Sequence, residues 1–323
     1  MPKTISLSAS SISTFMSCRR KYYFQYIEQL QPIVRAVPLS FGSAVHAGLE
    51  HMFKAGDQSK DGLIRAVEGS YSIDELNESG VEPYVAVETI LAFANAVDWK
   101  HWQFWKVEPW FEVMLGHGRK LRGRFDGIID IDGSLFILEH KTVAGAVTER
   151  RLNHLLWDQQ ASLYVASAWK QGLCVKGILY NFLPKPTISQ SMATPMEKRK
   201  YKKDGGLYAN CREADETNAE YIERVREWYV EHSGPEYFRQ HIVTRNEAQV
   251  EAMVQNVARI SSDIRRAERM SDWYMNPAAC QMLSCPYASV CLEDTPEARE
   301  ANFAKRVRQD EQEANDATKG EQA

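Results

Sequence analysis

Two acids and a lysine stand around a turn signal in the middle of the chain. The segment runs from Gly123-Arg124-Phe125-Asp126 through Asp132-Gly133 to Glu139-His140-Lys141-Thr142. Asp-Gly between two apolar runs is a strong hairpin signal. With Asp132-Gly133 as a two-residue turn, Ile131 pairs with Ser134, and the same register sets Asp126 directly opposite Glu139. Their Cβ atoms are then about 5 Å apart. Lys141 lies two residues beyond Glu139 and so projects from the same face. Like charges placed opposite each other destabilise a hairpin unless something binds them. Carboxylate oxygens suit hard divalent cations such as Mg2+ and Mn2+. A lysine beside such an ion can stabilise an attacking hydroxide or charge developing at phosphorus. The competing reading is a solvated hairpin with a plain Glu139–Lys141 ion pair.

Other residues share suggestive spacings. His46 and Glu50 lie four apart, as do Gln160 and Tyr164, so each pair falls on one helix face. An imidazole can complete a metal site already holding carboxylates. Cys280, Cys285 and Cys291 are separated by four and five residues, and with one more thiolate they could bind zinc or an iron–sulfur cluster. Cys174 reads as a small buried apolar residue. Lys198-Arg199-Lys200-Tyr201-Lys202-Lys203 beside Gly205-Gly206, and Arg19-Arg20-Lys21, are candidate phosphate contacts. Trp99, Trp102, Phe104 and Trp105 are a candidate stacking platform for unpaired bases. A solvated charge run and a core-facing aromatic stripe are the competing readings of these last two features.

These residues need elements to hold them. Ser8 to Ile27 reads as a helix with Cys18 inside it, and Phe41-Gly42-Ser43 opens a second that carries His46. Pro83 to Lys106 reads as a long aromatic helix. Val107 to Leu115, Leu121 to Ile131 and Ser134 to Thr142 read as strands, followed by a helix at 152–170 and a strand at 175–183. Helices near 213–232 and 245–270 flank a short strand at 237–244, and the chain after Glu293 reads as a frayed or disordered charged tail. The mixture predicts an α/β fold around a small sheet.

Composition bounds the function. The 323 residues are 44% hydrophobic and 25% charged with net charge −4, the balance of a soluble globular protein of one large domain or two. The mild acidity excludes a blanket basic surface but not a local basic groove. No apolar run reaches the length of a spanning helix, and the first residues lack a secretory signal. A cytoplasmic protein is expected, in which the six cysteines are ligands or thiols and not disulfides. There is no Gly-x-x-x-x-Gly-Lys-Ser/Thr phosphate loop, so the chain is not its own helicase motor. A His-Glu-x-x-His protease signature is also absent.

Taken in order, Gly42-x-x-x-His46, Gly123-Arg124-x-Asp126, Glu139-x-Lys141 and Gln160-x-x-x-Tyr164 resemble the RecB-like branch of the PD-(D/E)xK nuclease superfamily. They are also similar to CRISPR-associated and AddB-type nuclease domains that carry an iron–sulfur cluster. Phe125 stands where the superfamily name has proline. The resemblance implies a restriction-endonuclease-like core, a small mixed central sheet flanked by helices, with the terminal helical segments joined at a metal cluster. It implies one nuclease domain over 1–292: a helical part at 8–106, a catalytic core at 107–183, and a helical and cluster part at 212–292, with a tail at 293–323. His46, Asp126 and Glu139 would ligate Mg2+ or Mn2+, with the His140 backbone carbonyl as a further ligand. Lys141 would be the catalytic lysine, and Gln160 and Tyr164 would contact DNA or support the site. Cys18, Cys280, Cys285 and Cys291 would hold a [4Fe-4S] cluster, with zinc as the alternative. The expected activity is a metal-dependent deoxyribonuclease, an exonuclease on single strands or DNA ends. It would serve recombination, repair or phage DNA processing, with a possible recombination or helicase partner, in a bacterial or phage-infected cytoplasm. The alternatives are an endonuclease and a catalytically silent DNA-binding module with a metal staple.

Overall fold

The Asp132-Gly133 turn forms as its composition dictates. Both residues have positive φ, 52° and 77°, the type I′ geometry whose twist matches that of the strands on either side. Gly133 N donates to the Asp130 side chain at 2.7 Å. In the computed structural model, which describes residues 4–33, 37–282 and 285–305, the arms pair from Ile131↔Ser134 to Gly127↔Leu138. That is the expected register.

The chain divides into two compact units. One comprises Val37–Phe111 and Arg124–Val250. Its sheet holds five strands in sequence order: β1 (Gln103–Val107), β2 (Gly127–Ile131), β3 (Ser134–Ala144), β4 (Gly177–Lys185) and β5 (Gln240–Thr244). Neighbours are antiparallel except β3 and β4, which run parallel from Phe136↔Gly177 to Ala144↔Lys185. The helices that matter most are α1 (Val37–Ala55), α2 (Glu82–Ala96), α3 (Gln159–Lys170) and α4 (Asn218–Glu231). A parallel step requires a crossover, and α3 lies within it. β4 is buried from Gly177 to Pro184, as a central strand covered on both faces must be. Phe41, Ala44, Val45, Leu49 and Met52 form the apolar face of α1 and join one core with α2, α4 and the sheet. Gly48 permits the α1–α2 approach, since a Cβ there would strike Ile90 Cδ1.

Several expected elements are divided. The 121–131 stretch is two strands, Arg119–Arg124 and β2, broken at Phe125-Asp126. The aromatic helix ends at Ala96, and Phe104 and Trp105 belong to β1. The 107–115 strand is replaced by the end of β1 and a separate strand, Trp110–Met114, with Glu108-Pro109 between them. The 152–170 helix breaks at Asp158 into Glu149–His154, a short 3-10 turn and α3.

The other unit comprises Met1–Ala36, Glu112–Gly123 and Glu251–Ala323. Ile5–Leu7 pairs in parallel with Arg119–Arg124. Ser8 caps the helix Ala9–Ser17 through a reciprocal pair with Ser11. The expected single helix over 8–27 is interrupted at Cys18, whose backbone is extended (φ −159°, ψ 118°), before Arg19–Tyr22 and the π-helical Tyr23–Ile27. The tail expected from Glu293 is ordered as far as 305. Pro296–Asn302 is a helix, and Phe303–Lys305 pairs antiparallel with Leu30–Pro32. Phe303 is buried and stacks on Tyr287 at 5.5 Å. Residues 306–323 of the expected tail lie outside the described residues.

Candidate active site

The break at Phe125-Asp126 sets the position of the first acid. Phe125 N donates to Pro109 O, and Asp126 O accepts from Glu108 N, each at 3.1 Å. The Phe125 ring stacks on Phe111 at 4.5 Å. Two chain breaks thus hold each other, and Glu108, at a positive φ of 52°, is brought beside Asp126. One Asp126 oxygen accepts from His140 N of β3 at 2.7 Å. The other meets His46 Nδ1 of α1 at 3.3 Å. His46, Glu108 and Asp126 each present a ligand atom within 4.8 Å of the other two.

β3 supplies the second acid and the lysine. Glu139 is buried. Its Oε1 accepts from Lys141 Nζ at 2.6 Å and from Gln160 Nε2 at 2.9 Å. Lys141 Nζ also donates to Gln160 Oε1 at 3.2 Å. Glu139 Oε2 is buried with no hydrogen-bond partner. An orphaned buried carboxylate oxygen calls for a physical reason, and a cation ligand is one. The donor set of carboxylates and an imidazole fits Mg2+ or Mn2+.

Electrostatics point the same way. Burial would raise Asp126, but the His46 imidazolium and the His140 N–H outweigh it and hold the carboxyl at about 2. Burial first, then the Asp126 charge, pushes Glu139 up to about 7 against the pull of Lys141. The same two causes push Glu108 up to about 8, although Arg124 Nε pairs with it at 2.7 Å. Desolvation lowers His46, but Asp126, Glu139 and Glu108 together raise it to about 9. Lys141 is raised because Glu139 and other nearby carboxylates outweigh its burial. Three carboxylates in one small volume ionise together only when a cation compensates them.

Supporting residues fix this geometry. Asp158 caps α3 by accepting from Gln160 N at 2.8 Å, and its other oxygen accepts from Tyr180 OH at 2.7 Å. Buried Arg245 donates to the Leu155, Leu156 and Asp158 carbonyls and to Ser162 Oγ, at 2.9 to 3.3 Å. It thereby pins the turn from which Gln160 reaches Glu139. Tyr164 OH donates to Arg124 O at 3.1 Å, and its ring packs on Phe125 at 5.2 Å. Tyr164 therefore braces the segment that carries Asp126.

His46 and Asp126 meet beside Glu108, and Glu139, Lys141 and Gln160 bond to one another; the three-ligand cluster among the described residues holds Glu108 where the expected set has Glu139. His140 joins through its amide. Its ring is buried against Phe53 at 5.8 Å, pairs with Asn181 Nδ2 at 3.0 Å and is driven down to about 3 by burial. Sequence reasoning missed Glu108, Asp158 and Arg245. The one signal for Glu108 is an acid followed by proline between two apolar runs.

The remaining candidates lie elsewhere. Burial raises the Cys291 thiol, and Cys18, Cys280 and Cys285 act on it electrostatically in the same direction. Cys285 and Cys291 pack against the Phe24, Tyr287 and Phe303 cluster. Among the described residues no three cysteine sulfurs lie within 4.8 Å of one another. Cys174 is exposed, which corrects its reading as a buried residue. Arg19 pairs with Asp272 at 3.2 Å and lies over Phe15 and Tyr274. Arg20 lies over Phe24. Both arginines are committed to packing within their own unit. Lys198, Lys200, Lys202 and Lys203 are exposed on a loop. Arg199 holds that loop through the Thr194 and Glu213 carbonyls at 2.8 and 2.9 Å.

A sequence profile of the PD-(D/E)XK nuclease superfamily matches residues 6–292. The chain belongs to that superfamily. Its mixed α/β architecture is that of a restriction-endonuclease-like PD-(D/E)XK fold, and membership carries metal-dependent nuclease chemistry on DNA with Mg2+ or Mn2+. No curated protein matches the chain. The crystal structure of SSO0001 aligns over 70% of this chain and 89% of its own, at 14% identity and a TM-score of 0.22, a likeness too slight to bear on the argument. Among the described residues no helix of this PD-(D/E)XK protein is long and apolar enough to cross a membrane.

Proposed function

We propose that this PD-(D/E)XK protein is an exonuclease of the RecB-like branch that hydrolyses phosphodiester bonds at DNA ends or in single strands. The reading rests on one observation above all: buried Glu139 shares one oxygen between Lys141 and Gln160 and keeps the other free of partners, in the field of Asp126. His46, Asp126 and Glu139, with the His140 carbonyl, would hold the catalytic ion. When bound, a divalent cation supplies Lewis-acid polarisation of the phosphate and a water of lowered pKa. The chain's own residues do the rest. Glu139 and Gln160 orient the Lys141 ammonium, which lines a cavity of about 310 Å³ together with Arg151 and His154. From there Lys141 donates to the oxygen on which negative charge grows, a contribution worth on the order of 100-fold or more in rate. Phosphorus gains an oxygen from water and loses a sugar oxygen, which leaves with a proton.

Cys18, Cys280, Cys285 and Cys291 would hold a [4Fe-4S] cluster, supported by the electrostatic proximity of the other three to Cys291. Zinc is the alternative occupant. Residues 1–292 would act as one nuclease domain in bacterial or phage recombination, repair or DNA processing. Any unwinding would come from a helicase partner, since this chain has no phosphate-loop motif. The test is digestion of linear and covalently closed circular DNA with Mn2+. Degradation of linear DNA alone supports an exonuclease. Discrete products from closed circles would make it an endonuclease, and no cleavage of either would make it a silent module.

A further inference from the structure

A groove opens beside the acidic cluster on the edge strand of the site's own sheet. Strand β1 pairs with β2 as Phe104↔Ile129 and then Lys106↔Ile128, so Trp105 is an extra residue with no partner across the ladder. A bulge of this kind re-aims side chains and recurs next to active sites. Here it leaves Trp105 and Lys106 both exposed, with Trp105 at 55%. Lys106 Nζ lies 5.9 Å from the Trp105 ring. Together with Phe53, Lys54 and Pro109 they line a cavity of about 470 Å³.

The groove is tied to the site at two points. Pro109 in its wall follows Glu108 directly. Lys54 lies on the α1 face that carries His46 and Glu50, its ammonium 2.6 Å from Glu50, and the rise from His46 to Lys54 is about 12 Å. An exposed indole beside the Lys106 ammonium, in a cavity whose wall runs through Pro109 to Glu108, matches the chemistry of a nucleic-acid strand. The ring offers a π-face to a base and Lys106 meets a flanking phosphate. Only a base with a free face can stack there. Inside a duplex both faces are covered by neighbouring pairs.

We propose that Trp105 is a stacking platform for an unpaired nucleobase, and that this groove selects single strands or frayed ends over internal duplex. The proposal rests on the nuclease reading above and names the residue through which the unpaired strand of that reading is selected. Trp105 binds and positions the strand and takes no part in the chemistry.

The test is fluorescence anisotropy with end-labelled oligothymidylate in Ca2+ buffer, comparing the wild-type protein with Trp105→Ala and Trp105→Phe. Melting curves verify that each variant is folded. Stacking on an aromatic ring is worth about 1–3 kcal/mol per base, so Trp105→Ala should weaken binding roughly 5- to 150-fold, and Trp105→Phe should keep most of the affinity. An abasic site moved along the oligonucleotide should weaken wild-type binding at one position, and that penalty should vanish in Trp105→Ala. Lys106→Ala should lower the salt slope by about 0.7. Equal affinity of wild type and Trp105→Ala, or the same abasic profile in both, would overturn the proposal. So would a wild type that does not bind the single strand. Cleavage by the wild type in Mn2+, measured separately, decides the nuclease reading independently of these results.

Discussion

Replacing Glu139 by glutamine should make the metal-free protein more stable at alkaline pH while removing its response to metal. Glu139 is buried, and burial with the neighbouring Asp126 charge raises its carboxyl to about 7. A folded-state value above the unfolded one means that its contribution to stability is present at low pH and is lost as pH rises through about 7. The rise from the ordinary 4.5 to about 7 corresponds to a destabilisation of about 3 kcal/mol at pH 8. Glutamine keeps an oxygen to accept from Lys141 but no longer balances that ammonium, which offsets part of the gain. We expect Glu139→Gln in EDTA to exceed wild type by about 1–3 kcal/mol at pH 8, shrinking to under about 1 kcal/mol at pH 5. Urea unfolding at both pH values reads this directly. Adding Mn2+ should stabilise wild type and leave the variant nearly unmoved. A variant less stable than wild type at both pH values, or a difference independent of pH, would refute the reasoning.

Three further outcomes follow from the same geometry. Cation loading at pH 7 should release about two protons, because His46, Glu108 and part of the Glu139 population hold protons there. Calorimetry in buffers of different ionisation enthalpy counts them, and no release would contradict the placing of the ion beside these groups. Arg245→Met should cost about 2–4 kcal/mol, since it strips the donor from the buried Leu155 carbonyl and from the part-buried Leu156 and Asp158 carbonyls. A loss below about 1 kcal/mol in urea would show that the Asp158 turn holds itself. Protein prepared without oxygen should carry iron and acid-labile sulfide that Cys285→Ser removes, whereas iron-free protein containing zinc would identify the other occupant.

The parts of the fold legible in the sequence are those set by local chemistry. Asp132-Gly133 fixes both the turn and the register, and with them the approach of Asp126 to Glu139. Four-residue spacings placed His46 on its helix and Gln160 and Tyr164 on theirs. What escaped reading depends on distant partners. Gln103–Val107 continues an aromatic helical pattern and becomes a strand only because β2 offers its edge. Glu108 reaches the site through backbone bonds to Phe125 and Asp126, which no spacing rule connects to it. Phe303–Lys305 sits amid charged residues, and its order comes from pairing with Leu30–Pro32. Cys18 interrupts a segment whose periodicity is helical throughout, and no local sequence signal marks its extended backbone.

The most direct measurement is Mn2+-dependent cleavage of end-labelled single-stranded DNA by wild type and Lys141→Ala, with Mn2+ binding measured on both. Wild type should cleave, and EDTA should abolish the cleavage. Lys141→Ala should lose about 100-fold or more in rate, with Mn2+ affinity retained. Cleavage by Lys141→Ala at the wild-type rate would contradict the role of Lys141 in stabilising the developing charge.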